Sequence, residues 1–94
     1  GGEHVDNIYN LILKKESGKK VFLVISSFNN GVSWGEIRLN KEIVSKWSTP
    51  KDSREPLEID ITKFITPGLR KYEIELKHKA GGALEISEVK AEFR

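Results

Sequence analysis

Cysteine, methionine and glutamine are all missing from this chain of 94 residues. Without cysteine there is neither a disulfide framework nor a Cys-based metal site, which counts against a small secreted eukaryotic module. No apolar run approaches the roughly 18 residues of a membrane-spanning helix. Charge of one sign is nowhere concentrated: 16 basic and 14 acidic residues leave a net +2, with the signs interspersed along the chain. The denser basic spots, Lys14-Lys15 with Lys19-Lys20 and Arg70-Lys71, fall at predicted turns, where solvated lysine is the ordinary occupant. A nucleic-acid module more often shows a clustered basic face, so nucleic acid is disfavoured as a partner. Neither a signal peptide nor an initiator methionine opens the sequence. The expectation is therefore an excised or processed piece of a longer protein, with Gly1-Gly2 as a cloning remnant. Such pieces are often accessory modules rather than whole enzymes.

What is present points to a single domain spanning residues 1–94 with a modest core. Charged residues make up 32% of it. That share, with few thermolabile side chains, fits a thermophile-like composition and equally fits chance in a short chain. The labile pair Asn30-Gly31 cuts against the former.

The most informative stretch is Leu57–His78. Leu57, Ile59 and Ile61 alternate with Glu58 and Asp60, and Tyr72, Ile74 and Leu76 alternate with Lys71, Glu73, Glu75 and Lys77. Period two marks strands with one buried and one wet face. Between them Asp60 or Thr62 can cap a short helical turn near residues 62–65, and Pro67-Gly68 ends it. Phe64 and Ile65 are placed to plug one end of the fold. Earlier in the chain, Ile8–Leu13 and the β-branched run Val21–Ile25 read as strands joined by a Glu16–Lys19 turn into a hairpin, with a helix over Ile8–Lys15 as its competitor. Ser26–Gly31 reads as a turn-rich loop. Trp34–Leu39 is a strand that places Gly35, Ile37 and Leu39 on one face and Trp34, Glu36 and Arg38 on the other. Asn40-Lys41 links it tightly to Glu42-Ile43-Val44, asparagine being able to adopt a left-handed conformation.

Ser45–Glu55 is the longest irregular segment, a length that usually carries function or disorder. Lys79–Gly82 reads as another turn. In the last strand, Ala83–Phe93, apolar residues sit at even positions (Leu84, Ile86) and then at odd ones (Val89, Ala91, Phe93). A β-bulge at Ser87-Glu88 restores a single apolar face. Several short strands with turns at regular spacing predict an all-β fold, an antiparallel β-sandwich.

Trp34–Glu42 looks like a strand carrying a "V-x-L-N-G" hairpin, and Leu57–Ile74 resembles the "dIT-x-x-l-x-p-G-x-N-x-l-x-i" segment that follows such a hairpin. In this order the two resemble the galactose-binding-domain-like jelly rolls found in carbohydrate-binding modules and accessory domains of glycoside hydrolases, over roughly Val21 to Phe93. The chain departs from the pattern in having Lys41 where glycine is usual after the asparagine, and Arg70 or Lys71 where asparagine is usual after Pro67-Gly68. The resemblance implies a jelly-roll-like sandwich acting as a non-catalytic carbohydrate-binding module within a larger extracytoplasmic protein. The fold alone does not impose a sugar site, since it hosts many functions.

Exposed tryptophan is the usual anchor for sugars, because an indole stacks on their C–H faces. Trp34 and Trp47 are the candidates, each weighed against burial in the core. With Arg38 they form the expected anchor set, and Asn29, Asn30 and Asp52 are the expected polar partners, although the amides also fit turn chemistry. Asn40 is read in the same two ways. His4 and His78 lack metal-ligand spacing. Related jelly rolls often carry a structural calcium, and Asp52, Glu55 and Asp60 lie near one another, but their spacing is not that of a calcium loop, so no cofactor is expected. Glu58 with Asp60 and Glu73 with Glu75 share strand faces interleaved with Lys and Arg, the pattern of charge pairing on a solvated face rather than of a glycosidase. No nucleophile–base pair appears, and Ala80–Ala83 lacks the spacing of a phosphate loop. The alternative to carbohydrate is a structural or protein–protein interaction domain that docks through its strand edges and Trp34 face to a neighbouring protein domain.

Overall fold

A computed structural model describes residues 7–49 and 54–94. It is an antiparallel β-sandwich of a four-stranded and a three-stranded sheet with one short 3₁₀ turn. The elements are β1 (Asn7–Lys14), β2 (Val21–Leu39), β3 (Glu42–Thr49), β4 (Leu57–Asp60), the 3₁₀ turn Thr62–Phe64 and β5 (Leu69–Phe93). Among the described residues no helix is long and apolar enough to cross a membrane.

Two strands build both sheets. β2 has 19 residues and β5 has 25, so fully extended they would reach roughly 60 and 80 Å. The longest dimension of the molecule is 43 Å, so both strands bend. They are paired to each other from Val21↔Phe93 to Leu39↔Ile74, forming one antiparallel ribbon folded over on itself. The first half of β2 and the last half of β5 join β4 in the three-stranded sheet. The remaining halves lie between β1 and β3 in the four-stranded sheet. Val21, Leu23, Ile25, Ile37 and Leu39 of β2 are all buried. The same face of β2 is thus buried in both halves of the bent ribbon. Tyr72, Ile74 and Leu76 of β5 and Trp47 of β3 complete the core, and Ile61 and Ile65 close it beside the 3₁₀ turn.

The bulge expected at Ser87-Glu88 is present. Ser26 faces Glu88 while Ser27 faces Ile86, leaving Ser87 as the extra residue, and Ser87 Oγ donates to the Ser26 carbonyl at 3.2 Å. Asn40 and Lys41 both adopt positive φ, at 49° and 71°, which gives the tight β2–β3 hairpin.

Several sequence expectations are corrected. β1 does not pair with the strand that follows it. It lies along β5, with Leu11 opposite Tyr72, so the Glu16–Lys20 connection crosses between sheets; strand prevails over helix there because β5 offers β1 a ladder. Ser26–Gly31 and Lys79–Gly82 are not turns but parts of continuous strands. Their backbones stay paired, Asn29 with Leu84 and Ser33 with Gly81, and the register shifts there absorb the bend that their small and turn-forming residues permit. The irregular segment expected from Ser45 is strand as far as Thr49. Asp52 and His4 lie outside the described residues.

The cap also differs in detail. Asp60 Oδ1 accepts the Thr62 backbone N–H at 2.9 Å. The Thr62 hydroxyl does not cap: it donates to Asp60 Oδ1 at 2.5 Å and accepts the Val21 N–H at 2.8 Å. It ties the turn to the start of β2.

Candidate functional site

The outer face of the four-stranded sheet gathers the strongest candidate residues. Alternation along β2 turns Gly35, Ile37 and Leu39 to the core and Trp34, Glu36 and Arg38 outward. Trp34 keeps 49% of its surface exposed. Its cross-strand neighbours are Ala80 on β5 and Ser48 on β3, both too short to cover an indole. The next row outward-facing across the sheet is Lys77–Glu36–Lys46, and the one after it Glu75–Arg38–Ile43.

These rows are laced together by charge. Arg38 Nη2 donates to Glu36 Oε2 at 3.2 Å and Nη1 to Glu75 Oε1 at 3.3 Å. Lys79 Nζ lies 3.7 Å from the other Glu36 oxygen. The side chains of Arg38, Glu36 and Glu75 are mostly buried, at 27%, 19% and 18% exposure, so the network is held more firmly than an open surface pair. The face therefore offers an apolar plate beside fixed donors and acceptors. Ile8, Ile12 and Ile43 stand exposed on the same face.

Trp47 is corrected as a stacking anchor: it is 4% exposed, on the inner side of this same sheet. The cause is Gly35, its cross-strand partner. A Cβ at Gly35 would lie 2.9 Å from the indole Cε2 and 1.8 Å from the Lys77 carbonyl, so only glycine leaves room for the ring. Trp47 Nε1 donates to the Glu36 carbonyl at 3.2 Å, and the ring stacks on His78 with centroids 6.1 Å apart.

The structure thus brings Trp34 and Arg38 to one outer face and turns Trp47 to the inner one. Asn29 and Asn30 lie where the ribbon bends, their backbones opposite Leu84 and Ala83. Asn40 serves architecture: its Oδ1 accepts the Glu73 N–H at 2.9 Å while its own N–H donates to the Glu73 carbonyl at 2.8 Å. Glu36, Glu75, Lys46, Lys77 and Lys79 were not singled out as site residues from sequence. The alternation of Glu36, Glu75 and Lys77 was legible, Lys46 and Lys79 were read as loop and turn, and the neighbours of all five across strands depend on a register that sequence does not display.

The opposite outer face is closed by Arg94. Its guanidinium sits 4.4 Å from the Phe22 ring centroid and donates to Glu92 at 2.7 Å and to Glu58. The hydrogen bond from Arg94 holds the Glu92 carboxyl below its ordinary range, and Glu92 and Glu58 raise the guanidinium. A shallow cleft of about 380 Å³ lies by the bulge, lined by Ser26, Ser27, Arg54, Glu85, Ile86 and Ser87. Among the described residues no group of three or more His, Asp or Glu side chains converges as a metal site, and the Asp60 carboxylate is engaged by Thr62. Comparison with protein-family models, curated proteins and solved structures finds no match to this chain.

Proposed function

We propose that this domain is a non-catalytic binding module that takes carbohydrate on the outer face of its four-stranded sheet, in the manner of galactose-binding-domain-like accessory domains. Trp34 is the stacking plate, and Arg38 and Glu36 are the polar partners beside it. The observation that carries the reading is the half-exposed Trp34 ring, left uncovered by Ala80 and Ser48 next to a fixed charge network. An indole in that setting gains by covering its apolar face, and the neighbouring groups supply the donors and acceptors that sugar hydroxyls require.

Titration with a panel of polysaccharides, followed by tryptophan fluorescence, tests this. Trp47 is buried and contributes a constant background, so a change reports Trp34. Trp34→Ala is expected to abolish the fluorescence response and glycan retention while shifting unfolding free energy by less than about 0.5 kcal/mol. Unchanged glycan binding by Trp34→Ala sinks the reading. A second reading, docking to a neighbouring protein domain, is favoured by Ile8, Ile12 and Ile43 on the same face at 53%, 69% and 53% exposure. Concentration-dependent association that Trp34→Ala removes, with no response to any glycan, selects it.

A further inference from the structure

We infer that β1 is the edge through which two copies of this chain associate, each taking the other's β1 as an antiparallel neighbour, so that two four-stranded sheets join into one of eight strands. Among the described residues β1 pairs with β5 alone, and its outer row of backbone N–H and C=O groups faces no strand. Such an edge is a template for pairing, and folded proteins normally guard it with shortness, charge or a bulge. The other edges are guarded in this way. β4 is four residues long and holds Glu58 and Asp60. β3 carries Glu42 and Lys46 and has a bulge at Val44, between the Ile37↔Ser45 and Arg38↔Ile43 pairs. The last part of β5 carries Glu85, Glu88, Lys90 and Glu92 and the Ser87 bulge. β1 has none of these devices: it runs eight residues in unbroken register with β5, and its one charge, Lys14, is its last residue.

The sequence of β1 selects a second copy as its partner. Outward lie Ile8, Asn10 and Ile12, the two isoleucines 53% and 69% exposed, while Tyr9 and Leu11 are half-buried at the rim of the core. With two β1 strands antiparallel and Asn10 opposite Asn10 of the second copy, period two sets Ile8 against Ile12 and Tyr9 against Leu11, each pair occurring twice about the two-fold axis. Apolar residues then meet apolar residues on both faces of the seam. A carboxamide carries both a donor and an acceptor, so it can bond to its own image, which neither a carboxylate nor an ammonium can do. No charged residue lies between Ile8 and Ile12, so no like charges meet there. The axis stands perpendicular to the sheet, which puts the Trp34 faces of both copies on one side of the joined sheet. The inference does not depend on what Trp34 binds.

Sedimentation equilibrium of the full chain tests this. A seam of one strand pair is smaller than a standard stable interface, so a reversible dimer is expected, populated as concentration rises toward about 1 mM. Asn10→Lys sets two ammonium groups against each other on the axis and is expected to weaken association at least about fivefold. Trp34→Ala is expected to leave association intact. The chain has no cysteine, so Asn10→Cys adds a sole thiol that meets its own image across the seam, and mild oxidation is expected to link it into a disulfide dimer. Ile8→Cys is expected not to link, because its image is displaced along the strand by four residues, about 13 Å, past the roughly 7 Å between Cα atoms that a disulfide spans. The two cysteine variants decide independently of how Asn10→Lys folds. A chain that stays monomeric up to about 1 mM overturns the inference. Association that is indifferent to Asn10→Lys, or lost on Trp34→Ala, puts the contact on another surface and overturns it too. Ile8→Cys linking as readily as Asn10→Cys does the same.

Discussion

At the scale of single residues, the decisive pairs are those that place one side chain against another's absence. Trp47 is buried because Gly35 is empty, and Trp34 is open because Ala80 and Ser48 are short. From sequence, alternation set Trp34 on the face opposite Ile37 and Leu39, whereas Trp47 fell in a segment read as irregular. Each sits in a polar neighbourhood, and what buries Trp47 is a cross-strand partner that only register reveals. The Asn40-Lys41 turn was legible more fully: its tightness pointed to a left-handed asparagine, and the Asn40 φ of 49° bears that out, with Lys41 beside it at 71°. A lysine there is strained by roughly 1–2 kcal/mol relative to glycine, part of which glycine returns through its freer unfolded chain. Lys41→Gly is accordingly expected to stabilise the domain by roughly 0.5–1 kcal/mol, measured by urea denaturation. A loss of stability would mean that the exposed Lys41 side chain makes a contact outweighing that strain.

At the scale of elements, the sequence showed strands well and their connections unevenly. The phase break between Ile86 and Val89 located the Ser87 bulge, because an apolar face cannot change sides without an inserted residue. Asn29-Asn30-Gly31 and Ala80-Gly81-Gly82 misled, because residues that permit a chain reversal also permit a paired ribbon to bend, and the partner strand decides between the two. The 3₁₀ turn yields a prediction about pH. The Thr62 hydroxyl and then its backbone N–H, bonding to Asp60, hold that carboxyl below its ordinary value of 3.8. A lowered folded value means that the charged form contributes stability above about pH 4, and that the contribution is lost as pH falls below 3.8 toward the lowered value. Asp60→Asn keeps an acceptor for the Thr62 N–H and removes the charge. The stability gap between wild type and Asp60→Asn should be full near pH 6 and close below pH 3.8, as read from thermal melts across that range; a gap independent of pH would mean that the charge is not what Thr62 stabilises.

At the scale of the whole molecule, the sandwich character was legible from strand spacing, whereas the sharing of β2 and β5 between sheets was not. Alternation reports which face of a strand is buried, and both halves of a folded ribbon bury the same face. Because neither sheet can be dismantled without opening strands that build the other, unfolding should be one cooperative step. The Trp47 signal in the four-stranded sheet and amide exchange of Leu23 and Ile25 in the three-stranded sheet are expected to give the same free energy of opening; distinct values would mean that the bend uncouples the halves. The same ribbon governs the birth of the protein. Val21 waits for Phe93, and β1 waits for residues 69–76 of β5, so in the first half of the chain only the β2–β3 hairpin finds its partner early. High contact order of this kind slows folding. Meanwhile the run Val21–Ile25 has only the short β4 to pair with, and its other edge, apolar and β-prone, is open to self-association on the nascent chain. Loss of Val89–Phe93 would leave that edge permanently without its mate.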